Sequence, residues 1–346
     1  MNTQGELKMD NTPEEFIYYC YNWILGRNPD PDGKEHYIKL LNAGVSKHEI
    51  LISFLNSDEY AERRNSLMNP TIKFAPPGHF YSPLPNIDDI QKLYQKVDKS
   101  RNPMGIDIND DKQIELLKHF QKYSSVVPFG DGFKKNNTRY FFNGNEWYSY
   151  GDAIILFCMI NYFKPNRFIE VGSGYSSLVT LDTCELLNLK TKITFIEPFP
   201  DLILSLLSNR DDSEKIILRK EVQTVNISLF DDLNGGDILF VDSSHVVKFA
   251  SDVLFIVTEV LPRLKPGVII HFHDIFWPFE YPLEWLERGF AWNEAYFLKL
   301  LLENNKNYEI LYFNDYMGQM HQDLIEQYMP LALKNFGCGI WLKKVS

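Results

Sequence analysis

Short apolar runs rich in β-branched residues alternate with helical patterns from Arg167 to the end of the chain. Strands that alternate with helices predict a doubly wound α/β fold, in which a mostly parallel sheet binds ligands at the carboxyl ends of its strands. The seven runs read as strands are RFIEVG, KITFIEP, KIILRK, DILFVD, GVIIHFHD, YEILYFN and GCGIWLKK.

A different, purely helical pattern occupies residues 12–66. Thr12 and Glu15 are spaced as a capping box around a first-turn proline, and Ser46 and Glu49 repeat that spacing. Apolar residues follow each box at helical intervals, so we predict a small all-α module of three or four short helices.

The remaining segments complete the predicted domain organisation. Residues 1–11 are polar and are expected to form a disordered tail. Residues 67–86 are rich in proline, which favours an extended connector. Residues 87–346 then form the α/β domain, preceded by amphipathic helices that extend it at its N-terminal side.

The amino-acid composition limits the kinds of partner that the protein is expected to bind. The net charge of −11 argues against broad contact with nucleic acid or with an anionic membrane surface. No apolar run approaches the roughly 20 residues that span a bilayer, so we expect no membrane insertion and a cytoplasmic location. The four cysteines lack C-x-x-C spacing, which favours reduced thiols.

A glycine turn follows the first strand in the sequence RFIEVGSGYSS. A dinucleotide fingerprint needs a third glycine or alanine where this chain has Ser177, and a phosphate-binding loop would end in G-K-S/T. What remains is Glu170 with Gly172 and Gly174, the pattern E-x-G-x-G. This pattern resembles the first motif of class I S-adenosylmethionine-dependent methyltransferases, and it disfavours a nicotinamide-dependent oxidoreductase.

The resemblance implies a seven-stranded Rossmann-like sheet whose last strand is antiparallel. It also implies that Glu197, at the end of the second strand, accepts the ribose hydroxyls of the cofactor. A helix-capping role for Glu170, a surface role for Glu197 and a plain polar loop at Gln223 stay open. The expected cofactor-binding residues are Glu170, Gly172, Gly174, Tyr175, Ser176, Glu197, Gln223, Asp242 and Ser243.

The fourth and fifth strands end in residues suited to proton transfer. Asp242 ends the fourth strand with His245 three residues later, and Asp274 ends the fifth. We predict that His245 is the general base for a hydroxyl acceptor, since a neutral imidazole is available near pH 7. A structural role for His245 within a polar cluster is the alternative.

A divalent cation, Mg²⁺ or Mn²⁺, is the second way to activate a hydroxyl. The D-x-x-H spacing resembles metal-dependent macrolide-sugar O-methyltransferases, and the expected ligands are Asp242, His273 and Asp274. Those enzymes carry two acidic residues after the next strand, whereas this chain carries His273 before Asp274, so a metal-free arrangement stays open. The H-x-H pair of His271 and His273 lacks the further ligands of a zinc hydrolase.

Aromatic residues are concentrated after the fifth strand and are candidates to stack on a sugar ring. Trp277 and Tyr281 are the expected acceptor contacts there, together with His273. His79 and Tyr81 of the connector are expected to fold over the same opening. A buried aromatic core and a connector packed elsewhere are the alternatives.

The motifs FYSPLP, YSYGDAIILFCMI, FIEVGSGYSS, TFIEPFP, ILFVDSSH, IHFHDIFWPFEYP and WNEAYFL together resemble a bacterial family of class I methyltransferases associated with polysaccharide and glycan modification. The N-terminal module resembles helical modules appended to bacterial surface-polysaccharide enzymes. The resemblance implies O-methylation of a sugar in a surface glycan or its precursor. A non-sugar acceptor, and a non-catalytic glycan-binding protein with a degenerate fold, are the alternatives. Self-association is left open.

Overall fold

The computed structural model divides by its internal contacts into two units, one ending at Asp89 and one beginning at Ile90. The predicted tail, residues 1–11, and part of the predicted connector lie outside the described residues. The structure describes residues 12–68, 74–75, 78–135, 137–145, 147–208 and 211–346, without the side chains of residues 64–68 and 214–215.

The first unit contains the predicted short helices. Both capping boxes are confirmed: Thr12 and Glu15 each accept a hydrogen bond from the other's backbone N–H, and Ser46 and Glu49 do the same. A buried apolar cluster that includes Phe16 holds the helices together. The helices are α1 (Pro13–Tyr19), α2 (Pro31–Asn42), α3 (Lys47–Leu55) and α4 (Asp58–Met68), with a π-helical turn at Cys20–Leu25.

The second unit confirms the predicted fold class. Its sheet has the order β3-β2-β1-β4-β5-β7-β6, and β7 lies antiparallel between β5 and β6. The other pairs are parallel. The third strand is only two residues long because a short helix takes up the residues before it. The strands are β1 (Arg167–Val171), β2 (Lys192–Ile196), β3 (Ile217–Leu218), β4 (Ile238–Val241), β5 (Ile269–His273), β6 (Tyr308–Phe313) and β7 (Gly339–Lys344).

The later helices vary from four to fifteen residues in length. In the described part of the chain, no helix is long and apolar enough to cross a membrane. The α-helices are α5 (Ile87–Tyr94), α6 (Asp110–Ser124), α7 (Tyr150–Phe163), α8 (Tyr175–Leu186), α9 (Asp201–Leu206), α10 (Ser213–Ile216), α11 (Ser228–Asp231), α12 (Asp252–Phe255), α13 (Leu283–Glu287), α14 (Glu294–Leu302), α15 (Asn314–Met320) and α16 (Gln322–Tyr328). Short 3₁₀ or π turns are Val222–Thr224, Ile256–Val260, Leu261–Arg263 and Pro330–Lys334.

A buried ion-pair network fixes α8, the helix that begins at the glycine turn. The Arg139 guanidinium donates to Asp182 of α8 at 2.7 Å and to Asp211 at 3.0 Å. The three side chains are only 6%, 2% and 4% exposed. Because these buried charges are shielded from water, each one is stabilised by the opposite charge of its partners in the network. Arg139 therefore ties the segment before α7 to α8.

We expect Arg139→Ala to lower the free energy of unfolding by about 3–5 kcal/mol, because two carboxylates would stay buried without their cation. Arg288→Ala is the matched control: its side chain is 57% exposed and lies 3.9 Å from Glu284, so a loss below about 1 kcal/mol is expected. Denaturant titration followed by tryptophan fluorescence measures both. Equal losses in the two variants would contradict the role given to the network.

Candidate active site

A cavity of about 690 Å³ opens at the carboxyl ends of four parallel strands. The loops after β1, β2, β3 and β4 all contribute to its wall, which is where a doubly wound sheet places its ligand. Of the nine expected cofactor-binding residues, eight line this cavity. They are Gly172, Gly174, Tyr175, Ser176, Glu197, Gln223, Asp242 and Ser243.

Gly172 is where the backbone of the glycine turn comes closest to a neighbouring strand. Its φ of +83° is left-handed, and a Cβ atom there would lie 1.7 Å from the carbonyl oxygen of Asp242. No side chain fits, so the turn after β1 can approach both β4 and a bound ligand. Ser243 beside it has a buried hydroxyl with no hydrogen-bond partner, which leaves a polar group available to a cofactor in the cavity.

Glu170 contacts the start of α8, in line with the helix-capping alternative that the sequence left open. It is fully buried, it does not line the cavity, and it accepts hydrogen bonds from the hydroxyls of Ser176 at 2.5 Å and Ser177 at 3.0 Å. Burial raises its pKa to about 8 although the two hydroxyls oppose that shift. Glu170 therefore anchors the first turn of α8 through Oε1 and lies outside the cavity wall, while its Oε2 is buried without a hydrogen-bond partner.

Glu197 lies at the end of β2, facing the cavity as predicted. Its two carboxylate oxygens accept the backbone N–H groups of Ser173, at 3.0 Å, and of Phe199, at 2.8 Å. The carboxylate thus joins the glycine turn to the loop after β2.

Gln223 also lines the cavity. Its side-chain amide donates to the carbonyl of Ala250 at 2.8 Å, so one of its N–H groups is already engaged within the protein.

Asp242, His245 and Asp274 converge next to this cavity. The Nε2 atom of His245 lies 3.4 Å from Asp242 Oδ1 and 3.5 Å from Asp274 Oδ2. On the other side of the ring, Nδ1 lies 2.9 Å from a carboxylate oxygen of Glu294, the first residue of α14. The ring of Trp292 packs against His245 at 4.4 Å between centroids.

The electrostatics of this cluster differ from those of a free histidine. Burial disfavours the charged imidazole, but the carboxylates of Asp242 and Glu294 more than offset that cost and raise the pKa of His245 well above its usual value. Burial likewise opposes ionisation of Asp242, yet His273 and His245 lower its pKa to about 2. The expectation of an unperturbed pKa for His245 is therefore wrong, because three carboxylates surround it.

His273 is buried beside Asp274 and does not line the cavity. It is 2% exposed, its ring packs against Tyr148, and its Nε2 atom is 3.7 Å from Asp274 Oδ1. A ring nitrogen also lies within 4.8 Å of ligand atoms of Asp152 and Cys338. It is therefore too deeply buried to contact an acceptor, and His245 takes its place beside Asp242 and Asp274.

Two of the aromatic residues predicted to hold the acceptor belong to the core. Trp277 and Tyr281 are each 1% exposed. The Trp277 indole donates to the Lys99 carbonyl, and the Tyr281 hydroxyl accepts from the Ala295 amide. These rings hold loops together and have no free face for a sugar.

His79 and Tyr81 belong to the first unit, and their contact with the acceptor stays a prediction.

Two residues of the site, Glu294 and Trp147, are not predicted from the sequence. Glu294 lies within the motif WNEAYFL, but nothing in that motif marks it as a partner of His245, since it looks like an ordinary first-turn acidic residue of α14. Trp147 lines the cavity with 71% of its surface exposed, from a loop that carries no recognisable motif.

Comparison with known proteins agrees with this geometry. Residues 169–275 match a family model described as a methyltransferase domain, and residues 3–64 match a domain of unknown function, DUF4214. An uncharacterized protein of Archaeoglobus fulgidus is 32% identical over 167 residues, which cover 46% of this chain and 74% of that protein.

Solved methyltransferases show a more distant likeness. Podospora anserina PaMTH1 bound to S-adenosylhomocysteine is 14% identical with a TM-score of 0.39, covering 75% of this chain and 97% of that one. Human N-acetylserotonin methyltransferase bound to S-adenosylmethionine is 10% identical with a TM-score of 0.35, covering 95% and 92%.

Substitution of Gly172 by alanine should abolish cofactor binding, because the new methyl group would collide with the Asp242 carbonyl. We expect the affinity for S-adenosylhomocysteine in calorimetric titration to fall by more than about 100-fold, or ~2.7 kcal/mol. Gly289→Ala is the control, since its φ is also +83° but nothing lies within 4 Å of its Cβ position. That variant should lose only about 1–2 kcal/mol of stability and keep its affinity. Equal effects of the two changes would contradict the close-approach argument.

Neutralising Glu197 should weaken cofactor binding without unfolding the protein. A hydrogen bond to a charged group contributes about 1.5–3 kcal/mol, so Glu197→Gln is expected to raise the Kd for S-adenosylhomocysteine by about 10- to 100-fold. Glu259→Gln, at an exposed residue outside the cavity wall, should leave the Kd unchanged. An unchanged Kd in Glu197→Gln would show that the carboxylate serves only the loops it connects.

The residues that line the cavity suit S-adenosylmethionine, the cofactor that the E-x-G-x-G pattern predicts. Gly172 allows close backbone approach, Glu197 presents a carboxylate at the end of β2, and Ser243 has a hydroxyl to offer. The residues that match the methyltransferase family model, 169–275, include the loops after β1 to β4 that line the cavity. The chain therefore belongs to the family of the A. fulgidus protein, and its second unit is an S-adenosylmethionine-dependent methyltransferase.

Proposed function

We propose that the protein transfers the methyl group of S-adenosylmethionine to a hydroxyl of a sugar, in a bacterial surface glycan or its precursor. The observation that carries the proposal is the position of Asp242. It lines the cofactor cavity and is also in contact with His245 and, through it, with Asp274. An acceptor oxygen that reaches the cofactor there meets groups able to bind and deprotonate it.

The chemistry explains why these groups are needed. When bound, S-adenosylmethionine supplies a methyl group on a positively charged sulfur, which is a good leaving group. In the transfer a C–S bond breaks, a C–O bond forms and the hydroxyl proton must leave. Because a sugar hydroxyl is a weak acid, alignment alone is not enough and the site must also stabilise the deprotonated oxygen.

Aromatic surface beside the cavity supports a ring-shaped acceptor. Trp147 is 71% exposed in the cavity wall, and Phe199, also in the wall, is 80% exposed. Trp292 is partly exposed next to His245. Sugar rings have apolar C–H faces that stack on such side chains. The resemblance to glycan-modifying methyltransferases favours a sugar over other rings.

A phenol or another non-sugar hydroxyl is the second candidate, since the exposed rings of Trp147 and Phe199 suit an aromatic acceptor equally well. Transfer of a labelled methyl group to a panel of sugar nucleotides, oligosaccharides, phenols and carboxylic acids separates the two. Turnover of sugars supports the proposal. Turnover confined to phenols or carboxylic acids would overturn its substrate class.

With an acceptor from that panel, Trp147→Ala is expected to raise KM for the acceptor by about 2- to 12-fold, because a stacking contact contributes about 0.5–1.5 kcal/mol. kcat should change little, since Trp147 contacts neither Asp242 nor His245 by any hydrogen bond. Phe133→Ala is the control: Phe133 is 62% exposed but lies outside the cavity wall. A drop in kcat with KM unchanged would contradict a binding role for Trp147.

A further inference from the structure

The second unit has another cavity, of about 490 Å³, which shares no lining residue with the cofactor cavity. One wall of it comes from residues 93–104, which begin in the last turn of α5. The opposite wall consists of Pro278 and Glu280, in the loop after β5, and Lys299 of α14. We call this cavity the basic groove because of the charges described next.

Three cations in the wall of the basic groove are not neutralised by the protein. They are Lys96, Arg101 and Lys299. Among the residues that the structure describes, none of the three forms an ion pair within 4.0 Å with a carboxylate. The chain as a whole has 46 acidic and 35 basic residues. Unpaired cations gathered in one concavity of so acidic a protein indicate a site for an anion.

The sequence concentrates positive charge in the first wall. Residues 91–104 read QKLYQKVDKSRNPM, with four basic residues and one acidic residue. The acidic residue is Asp98, whose Oδ1 accepts the backbone N–H and the hydroxyl of Ser100 at 3.0 and 2.6 Å. One oxygen of Asp98 is thus used within its own turn, and the segment keeps an excess of positive charge.

The other carboxyl group in the wall, Glu280, is half-buried near Lys299. Burial raises the pKa of Glu280, while the Tyr296 hydroxyl and the Lys299 ammonium oppose that shift. Even if Asp98 and Glu280 are both ionised, the three cations leave the wall with an excess of one positive charge. An anion that enters the basic groove is therefore attracted on balance.

Apolar surface lies between these charges. Leu93 is 50% exposed and Met104 is 76% exposed, and Pro103 and Pro278 also line the groove. The ring of an acidic sugar has apolar C–H faces and a charged group at its edge, so it matches both kinds of surface. A free inorganic anion would use the cations alone.

Hydrogen bonds fix the spacing between the two walls. The Trp277 indole, in the loop after β5, donates to the Lys99 carbonyl at 2.7 Å. Just after α14, the backbone N–H of Asn304 donates to the Gly105 carbonyl at 2.7 Å. These two bonds lie on either side of Arg101 in the sequence, so the segment that carries the cations is anchored at both ends.

Helix α14 connects the basic groove to the surroundings of His245. Its first residue, Glu294, contacts His245, and Lys299 lines the groove five residues later. At a rise of 1.5 Å per residue, these two helix positions are about 7.5 Å apart along the axis. An acceptor of several linked sugars is longer than that distance.

We propose that the basic groove binds an acidic sugar of the acceptor, one that carries a carboxylate or a phosphate, while another sugar of the same chain receives the methyl group. The proposal deepens the function proposed above and rests on it for the identity of the acceptor as a glycan. Arg101 suits either anion, because a guanidinium donates two parallel hydrogen bonds to a carboxylate or a phosphate. Lys96 and Lys299 add charge without that directional preference.

The test is calorimetric titration of the full-length protein with four probes. Trigalacturonic acid carries carboxylates, glucose 1-phosphate carries a phosphate, maltotriose is a neutral trisaccharide, and inorganic phosphate is an anion without a sugar. Excess S-adenosylhomocysteine keeps the cofactor cavity filled, so that no probe binds there. We expect at least one acidic sugar to bind more tightly than maltotriose and inorganic phosphate, by about 5-fold or more.

Substitutions in the wall assign that binding to the groove. Lys96→Ala and Arg101→Ala should each weaken it by about 2- to 5-fold, as for an exposed ion pair, and the double variant by about 4- to 25-fold. Glu280→Gln should strengthen it by about 2- to 5-fold, because a negative charge is removed from the wall. Lys190→Ala, at an exposed lysine outside the groove, is the matched control and should bind like the parent protein.

The Glu280→Gln variant protects the test from a folding artefact, since a damaged protein does not bind a ligand more tightly. Circular dichroism shows whether the alanine variants are folded. The proposal is overturned if neither acidic sugar binds, if folded Lys96→Ala and Arg101→Ala bind like the parent protein, or if maltotriose or inorganic phosphate binds as tightly as the acidic sugars. Which acidic sugar binds tells a carboxylate from a phosphate.

Methyl-transfer assays separate this proposal from the one on which it rests. Methylation of acidic and neutral sugars with equal KM, unchanged in the groove variants, would overturn the role of the basic groove and leave the proposed function intact. Groove-dependent binding of an acidic sugar by a protein that methylates no sugar would support the groove and overturn the proposed function. A KM for acidic acceptors that rises in Arg101→Ala, with kcat unchanged, supports both.

Discussion

The near-contact between Gly172 and the carbonyl of Asp242 is the constraint on which the site depends. β1 and β4 are adjacent parallel strands, and their pairing continues to the hydrogen bond from the Asp242 N–H to the Val171 carbonyl. Beyond that bond both chains turn into loops that line the same cavity. A side chain at residue 172 would separate the strands at the level where Asp242 must face a ligand.

Around that contact, the protein buries ionisable groups in sets that stabilise one another. One oxygen of Glu170 accepts the hydroxyls of Ser176 and Ser177 on α8, and Arg139 is surrounded by carboxylates that it neutralises. Glu294 is paired with His245. Burial makes each such group costly alone, so removal of one member destabilises the rest.

The sequence predicted what local patterns encode and missed what only the tertiary structure creates. The alternation of strands and helices, the capping boxes at Thr12 and Ser46, and the cavity position of Glu197 follow from periodicity, cap chemistry and the rule that ligands meet strand ends. Glu294 reaches His245 across 49 residues of sequence, and no spacing signals that contact. Trp277 resembles an acceptor contact in the sequence because burial cannot be read from an aromatic cluster; the fold places it in the core.

The position of β7 has a consequence for the order in which the protein is completed during synthesis. β7 comes last of the seven strands, yet it pairs with both β5 and β6, and Cys338 just before it contacts Asp274 at the tip of β5. Until those residues leave the ribosome, β5 and β6 each have an unpaired edge, which is a surface prone to association with other chains. The catalytic end of the sheet is therefore assembled late, and a nascent chain needs protection for as long as that edge is open.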